Sequence, residues 1–191
     1  MSDEKEKKRP DNDDQHRVDW LLETGINFKD RVVLLTGDIE DGSFNLIDAA
    51  LSEMERDSKR GVTIRINCPG GSVYEALAIV GRMQASRCYI TTEGYGQIMS
   101  SASLVLAAGS KRRMSKYAFF MHHCSSYSTG GKHTEVLAQV AQFEREERIW
   151  SDWMSKFSNQ SADFWYNSGS LSDLYLTAAE CLSMGVIDEI I

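Results

Sequence analysis

The chain has 191 residues, of which 42% are hydrophobic and 26% charged, and its formal net charge is −7. This size and composition predict one domain with a substantial core, and the negative charge disfavours a nucleic acid or an anionic membrane as a partner. No apolar run is long enough to span a bilayer and the N-terminus lacks a hydrophobic signal core, so we expect a cytoplasmic protein. The four cysteines are scattered, which disfavours a zinc site or a disulfide framework.

The polar N-terminal stretch differs in character from the rest of the chain. Residues 1–17 mix both charge signs and cannot bury apolar area, so residues 1–26 are predicted to form a flexible, charged arm. Residues 27–191 contain neither a linker nor an internal repeat. They are predicted to form a single domain.

Strand and helix signals alternate along this domain. Apolar runs predict strands at residues 31–37, 61–67, 88–92, 118–124 and 186–190. Helical spacing predicts helices at residues 41–55, 73–85, 101–108, 134–157, 161–170 and 178–184. Residues 94–96 and 111–116 are interpreted as turns, and residues 171–177 as a loop or short strand. The repeated strand–turn–helix order is typical of an α/β fold.

Ser100 stands where the third strand gives way to a short helix of small and aliphatic residues that ends at Gly109. A hydroxyl at such a turn lies beside unpaired backbone N–H groups and the positive end of a helix dipole. Nucleophilic serines are often built this way. Serines at helix starts are more commonly N-caps, so this stretch alone does not establish a nucleophile.

Two further segments at the ends of strands contain groups that could take part in catalysis or binding. Pro69, Gly70 and Gly71 lead from a strand directly into a helix, which indicates either a plain turn or an anion-binding turn. His122 and His123 end the strand at residues 118–124, and paired histidines at a strand end are less often structural than a lone one. Composition alone does not identify an acidic partner for them.

Several ordered motifs resemble the ClpP family, the S14 serine peptidases that form the proteolytic subunit of the Clp protease. The matching segments are FKDRVVLLTGDIED at residues 28–41, INCPGG at 66–71, GQIMS at 96–100, FMHH at 120–123, DLYLTAAEC at 173–181 and GVID at 185–188. Together they extend from residue 28 to the end of the chain. Their order and spacing make a chance match improbable.

The resemblance implies roles for five residues. Ser100 would be the nucleophile, His123 the general base and later acid, and Asp173 the group that orients the imidazole. The backbone N–H groups of Gly71 and Ser101 would form the oxyanion hole. His123 is favoured over its neighbour because adjacent strand residues point to opposite faces. The subunit would need no metal and no cofactor of its own.

The family fold is a spiral of ββα units, shared with crotonases, with a protruding handle helix. The resemblance implies two stacked seven-membered rings, a tetradecamer, around a chamber that admits unfolded protein or peptide. Residues 134–157 would be the handle joining the rings, and residues 125–132 would lie beside bound peptide. The central charges at 144–148 are interpreted as a solvated face or a subunit contact. ATP would act only through a partner AAA+ unfoldase such as ClpX or ClpA.

The sequence also departs from the family pattern. Near the nucleophile the unusual residues are Cys68, Met99, Ser101, Ser103 and Cys124, the last interpreted as a free thiol rather than a nucleophile.

The outer ring face departs from the pattern as well. Thr63, Arg65 and Ala85 stand at positions where the family has aromatic residues that dock the ATPase, and Ser172 replaces an arginine that pairs across the ring interface. An arginine buried unpaired in an apolar pocket is costly, so we expect weak or no docking to a standard Clp ATPase.

The motifs also bear on which function is expected. A self-compartmentalised serine endopeptidase is favoured over a crotonase-type acyl-CoA enzyme, which needs no Ser-His-Asp set, and over a membrane-associated signal-peptide peptidase relative. A non-catalytic ring subunit remains an alternative, although such subunits have usually lost members of the triad. A dedicated processing peptidase independent of a Clp ATPase is the other, for example one that matures a capsid protein, a role that S14-type peptidases take in phages.

Overall fold

The computed structural model describes residues 23–191, which form one mixed sheet with helices packed around it. The strands are β1 (Ile26–Asn27), β2 (Val32–Thr36), β3 (Val62–Cys68), β4 (Ile90–Met99), β5 (Lys111–Met114), β6 (Phe119–His122), β7 (Leu174–Thr177) and β8 (Glu189–Ile190). The helices of this part are α1 (Ser43–Asp57), α2 (Val73–Gln84), α3 (Ser101–Ala107), α4 (His133–Lys156), α5 (Ala162–Leu171) and α6 (Ala178–Ser183). The α/β class predicted from the alternating signals is confirmed.

The described part begins inside the segment predicted as an arm. Residues 1–22 lie outside the described residues, so the flexibility of the arm stays a prediction. Residues 23 and 24 are helical, and from Gly25 onwards the chain contacts the sheet. The Gly25 carbonyl accepts a hydrogen bond from the Leu34 N–H at 2.8 Å, and Ile26 opens β1, antiparallel to β2. The folded part therefore starts before the boundary predicted at residue 27.

The centre of the sheet is strand β4, which has two successive partners on one edge. Strands β2, β3, β4, β5 and β8 run parallel in that order. Residues 91–94 of β4 pair with β5, whereas residues 97–99 pair with β6, which in turn pairs antiparallel with β7. The change of partner divides the sheet into two parts and leaves the end of β4 at their junction.

The glycines predicted as a sharp turn lie instead inside β4. The strand continues to Met99, with a register shift against β3. A Cβ at Gly94 would lie 2.8 Å from the Ile98 side chain, and Gly96 takes a φ of 61°. The glycines therefore serve an irregularity within the strand, which the local sequence does not distinguish from a turn.

The basic segment predicted as a turn is also a strand, β5. Arg112 contacts Asp188 at 2.5 Å, and Arg113 contacts Glu93 at 2.8 Å. The Arg112 hydrogen bond holds the pKa of Asp188 below its usual range. Carboxylates distant in the chain thus neutralise a strand of basic residues, an effect that local patterning cannot reveal.

Helices α1 and α2 pack side by side. The residues that α1 buries are spaced at helical intervals: Ile47, Ala50, Leu51 and Met54. Between the two helices, Arg82 contacts Glu55 at 3.0 Å with both side chains largely buried, and this hydrogen bond lowers the pKa of Glu55 to about 2. Helix α3 is buried at every residue, as its small and aliphatic composition predicts.

Helix α4 confirms the long helix predicted at residues 134–157. Its N-terminal half stands away from the core, and Leu137 and Val140 are exposed there. Its C-terminal half is anchored by buried residues, which are Glu147, Trp150, Ser151 and Met154. The helix thus joins a protruding segment to the body of the domain.

The last elements differ slightly from the prediction. The ambiguous segment at residues 171–177 contains β7, and the final strand is shorter than predicted because only Glu189 and Ile190 pair with β5. Thr177 caps α6, with its side chain and that of Glu180 bonded to each other's backbone N–H groups. Within residues 23–191, no helix is long and apolar enough to cross a membrane.

Candidate active site

Ser100 occupies a strained turn between β4 and α3. Its φ of 53° and ψ of −126° lie close to the first central position of a type II′ turn, which glycine normally takes. Its N–H donates to the Met121 carbonyl at 2.9 Å, and its carbonyl accepts from the Ser103 N–H at 3.0 Å. The surrounding hydrogen bonds therefore hold the backbone in this conformation. Such strain clusters at functional sites, and a strained strand-to-helix turn is where nucleophilic serines are found.

His123 lies within hydrogen-bonding distance of this serine. Strands β4 and β6 are parallel, with Met99 opposite Met121, so the residues that follow them meet at one end of the sheet. As a result His123 Nε2 lies 2.8 Å from Ser100 Oγ. At this distance an imidazole can accept the proton of the hydroxyl.

His122 faces the opposite side of β6. Its Nε2 lies 3.0 Å from the Trp165 carbonyl, and its ring meets the Trp165 indole edge-on. Burial lowers the pKa of His122, which favours the neutral ring. His122 is thus a core residue, in agreement with the alternation that favoured its neighbour.

The pairing of β6 with β7 brings Asp173 to the end of the sheet where Ser100 and His123 lie. These strands are antiparallel with His122 opposite Leu174, so the next pair outward joins His123 and Asp173. The distance from Asp173 Oδ1 to His123 Nδ1 is 3.5 Å. This is longer than an ordinary hydrogen bond, but it places the carboxylate beside Nδ1, the ring nitrogen that does not face Ser100. Contacts of this kind often tighten when substrate binds.

Gly71 and Ser101, the predicted oxyanion donors, lie on two adjoining turns. The bridge that Gly71 makes to the loop after β2 uses the Gly70 carbonyl and the Ser72 N–H, so the Gly71 N–H takes no part in it. Ser101 opens α3, where an N–H has no acceptor within the helix. A Cβ added at Gly70 would lie 2.6 Å from Ser100 Cβ, so the glycine turn packs directly on the serine turn. An oxyanion requires such converging N–H groups, and the assignment itself stays a prediction.

The cysteines near the site are unreactive by environment. Cys68 Sγ accepts a hydrogen bond from the Gly70 N–H at 3.3 Å, so the thiol supports the glycine turn. Burial and the negative charge of Glu147 raise the pKa of Cys124 to about 12, which keeps the thiol protonated. All four cysteines are free. Residues 23–191 contain no group of three or more His, Cys, Asp or Glu side chains that could hold a metal ion.

Glu147 is a residue of the cleft beside Ser100 that was not predicted from the sequence. The charges at residues 144–148 were expected to be solvated or to contact a subunit, and this is wrong for Glu147, which is only 9% exposed. It lines the cleft that also contains Ser100, Ser101 and His123. Its Oε1 accepts hydrogen bonds from the Ser125 N–H at 2.7 Å and from a tyrosine hydroxyl at 2.8 Å.

The spacing of α4 carried a signal for this burial. Glu147 follows Phe143 by four residues and precedes Trp150 by three, so it belongs to the apolar stripe of the helix. An acidic residue on such a stripe is a candidate for a functional site.

The predicted docking face carries a network of charges. Arg65 contacts Glu93 at 3.1 Å, and Glu93 also pairs with Arg113 although its side chain is only 8% exposed. Thr63 is half-buried on the same face of β3. The expectation that Arg65 would be an unpaired charge is wrong, because β4 supplies a carboxylate beside it.

Comparison with known proteins adds an independent line of observation. A family model described as Clp protease matches residues 16–191. The chain is 32% identical over 168 residues to the ATP-dependent Clp protease proteolytic subunit 1 of Rhodococcus jostii, covering 86% of this chain and 76% of the relative. Subunit 1 of Corynebacterium glutamicum is 30% identical, with 85% of this chain and 80% of the relative covered, and subunit 2 of Rhodococcus jostii is 27% identical, with 85% of each covered. These matches confirm the resemblance and the ClpP-like fold. The chain therefore belongs to the Clp protease family of peptidases.

Proposed function

We propose that the chain is a serine endopeptidase subunit that hydrolyses peptide bonds of unfolded proteins or peptides inside an oligomeric chamber. The observation that carries the proposal is the 2.8 Å contact of Ser100 Oγ with His123 Nε2 at a strained turn. A serine hydroxyl is a weak nucleophile until a base accepts its proton. Membership of a peptidase family supports the same chemistry.

In the first half of the reaction, Ser100 Oγ attacks the carbonyl carbon of the scissile bond while its proton passes to His123 Nε2. The negative charge that develops on the carbonyl oxygen is received by the N–H groups of Gly71 and Ser101, each contributing about 2.7–4 kcal/mol in comparable sites. Asp173 stabilises the imidazolium and keeps Nε2 facing the serine.

In the second half, the imidazolium returns its proton to the departing amine, and the C–N bond breaks to leave an acyl group on Ser100. A water molecule then gives a proton to His123 and attacks the acyl carbon. The ester bond breaks, Ser100 regains its proton, and the peptide leaves as a carboxylate. The sequence of steps balances without a metal or a cofactor.

The test is labelling of the purified protein with a fluorophosphonate serine probe, beside the variant Ser100→Ala. Labelling of the native protein that disappears in the variant would support the proposal. The mass of the assembly is measured on the same samples. A properly assembled ring that does not label would contradict it and favour the alternative of a non-catalytic ring subunit.

The assembly and the partner belong to the same proposal. Two stacked heptameric rings would enclose the site, and the relatives named above are ATP-dependent, which favours an AAA+ unfoldase such as ClpX or ClpA. The charged face of Arg65, Glu93 and Arg113 argues against docking of a standard Clp ATPase. An apolar docking segment of such an ATPase would gain little from contact with ion-paired side chains. This face favours a second candidate, a processing peptidase that works without a Clp ATPase.

Pull-down with a Clp ATPase in the presence of ATP distinguishes the two candidates. We expect weak or no capture. Tight binding that is lost in Arg65→Glu would show that the charged face is a docking site and would refute the second candidate.

A further inference from the structure

The cleft beside Ser100 contains polar groups that the proposed mechanism does not use. Its walls are formed by Val73, Ser100, Ser101, His123, Ser125, Glu147 and Trp150. During acyl transfer the attacked carbonyl lies at Ser100, with its oxygen at the Ser101 N–H. The side chain of that same substrate residue must therefore lie in or next to this cleft.

Glu147 is a buried carboxylate without a positively charged partner in the described part of the chain. Its hydrogen-bonding partners there are neutral: a backbone N–H and a tyrosine hydroxyl, which both donate to Oε1, and the Cys124 thiol. The following residue, Arg148, lies instead over the ring of Tyr166. Buried carboxylates are normally paired with a cation, because an uncompensated charge costs free energy away from water.

The neighbouring groups do not supply this missing charge. His122 is near enough to sense the charge of Glu147, but burial lowers its pKa and favours the neutral ring. Glu147 also contributes to the raised pKa values of Cys124 and Tyr127, two groups that stay protonated and uncharged. The described groups around Glu147 thus supply hydrogen-bond donors and no cation.

A second residue of the cleft, Ser101, has a side-chain oxygen without a hydrogen-bond partner among the described residues. Ser101 Oγ is buried and makes no hydrogen bond to any residue in 23–191. Buried hydroxyl groups nearly always find a partner, so an orphaned one requires an explanation. The orphaned oxygen is thus a second polar group, in addition to Glu147, among the residues that line the cleft.

The cleft continues into an apolar cavity of about 80 Å³. The two share Val73, Ser125, Glu147 and Trp150, and the cavity adds the apolar side chains of Leu77, Ile149 and Trp153. Apolar walls with a carboxylate among them suit a side chain that has a long aliphatic stem and a cationic end. Lysine and arginine have this construction.

We infer that this cleft selects a basic residue, lysine or arginine, at the position whose carbonyl carbon Ser100 attacks. The inference rests on the proposed peptidase function. The substrate cation would pair with the Glu147 carboxylate, and its methylene groups would pack on Trp150 and Val73. A carboxylate in the equivalent pocket gives trypsin its preference for basic residues.

The test compares two fluorogenic peptides that differ only at this residue, lysine in one and norleucine in the other. Norleucine keeps the aliphatic stem but has no ammonium group. We expect kcat/KM to be at least about 10-fold higher for lysine, a modest value for a desolvated charge pair. Glu147→Gln keeps an acceptor oxygen for the hydrogen-bond donors around it and removes the charge. The ratio of kcat/KM for the lysine peptide to that for the norleucine peptide should therefore fall to about 1. The control Glu144→Gln, on an exposed position of the same helix, should keep the native ratio.

The outcomes separate this inference from the function on which it rests. Cleavage of both peptides with equal kcat/KM, or a preference for norleucine, would overturn the inference and leave the peptidase function intact. A lysine preference that survives in Glu147→Gln would overturn the assignment to Glu147. If neither peptide is cleaved and the serine probe does not label, the peptidase function fails, and the inference with it. Mass spectrometry of the fragments released from an unfolded protein tests the same inference without a variant. Lysine and arginine should dominate as the C-terminal residues of those fragments, because the residue before the cleaved bond supplies the acyl group.

Discussion

The backbone conformation of Ser100 makes a quantitative prediction about stability. At φ 53° and ψ −126° a side chain is strained, whereas glycine occupies the same region readily. We expect Ser100→Gly to be more stable than Ser100→Ala, although both variants lose the nucleophile. The comparison isolates the backbone, because the hydroxyl is absent from both proteins.

The magnitude follows from two opposing effects. A non-glycine residue in such a region costs about 1–3 kcal/mol. Glycine gives back about 0.4–1 kcal/mol through its greater freedom in the unfolded chain. The net advantage of Ser100→Gly over Ser100→Ala is therefore about 0.5–2 kcal/mol, which is about 1–8 °C in Tm for a chain of this length.

Thermal unfolding of the two variants at equal protein concentration measures this difference, since assembly makes Tm depend on concentration. The matched control is Ser103, which lies inside α3 on ordinary helical backbone. There the order should reverse, with Ser103→Gly less stable than Ser103→Ala by about 1 kcal/mol. A Ser100→Gly protein that is no more stable than Ser100→Ala would refute the claim that the turn is strained.

Three further predictions concern the site and its support. Asp173→Asn should leave the assembly mass unchanged and lower kcat by about 100-fold or more, because the imidazole loses its orienting carboxylate; near-normal turnover would remove Asp173 from the mechanism. Gly70→Ala should abolish labelling by the serine probe, since the new methyl group would lie 2.6 Å from Ser100 Cβ, whereas Gly81→Ala, with nothing within 4 Å, should label normally. Glu55→Gln should lower the free energy of unfolding at pH 7 by on the order of 3 kcal/mol, because one pKa unit corresponds to about 1.4 kcal/mol. The folded-state pKa of Glu55 is depressed to about 2, so this contribution is present above pH 4.5 and is lost as the pH falls towards 2; urea unfolding at pH 7 and pH 3 would contradict it if the two proteins differed equally at both.

Periodicity and motif order predicted much of the fold. The alternation in β3 correctly separated the buried residues Val62, Ile64 and Ile66 from Thr63 and Arg65 on the other face. The helical spacing gave α1 its buried side and α4 its length within one residue of each end. These features are local, so the identity of neighbouring residues was sufficient.

The two segments that were wrongly predicted as turns share a cause, because long-range contacts determine their structure. Lys111–Met114 was assigned to a turn because its basic residues suggested one, yet pairing with β4 and with the acids of distant segments makes it a strand. Gly94 and Gly96 suggested a turn, yet the pairing with β3 carries the strand past them. Ion pairs and strand pairing with segments far along the chain cannot be predicted from a short stretch of sequence.

The candidate site shows the same division. The motifs pointed to Ser100, His123 and Asp173, and the structure brings these three side chains together. The burial of Glu147 escaped notice because five consecutive charged residues suggested a solvated surface, although the spacing from Phe143 and Trp150 places this residue on the apolar stripe of α4.

The register of β6 with β7 has a consequence for the order in which the site comes into being. Ser100 and His123 are joined through β4 and β6, whereas Asp173 arrives only when β7 pairs with β6 near the end of the chain. During synthesis the serine and the histidine are therefore made before the carboxylate. The three side chains of the candidate site come together only after β7 has been made and has paired with β6.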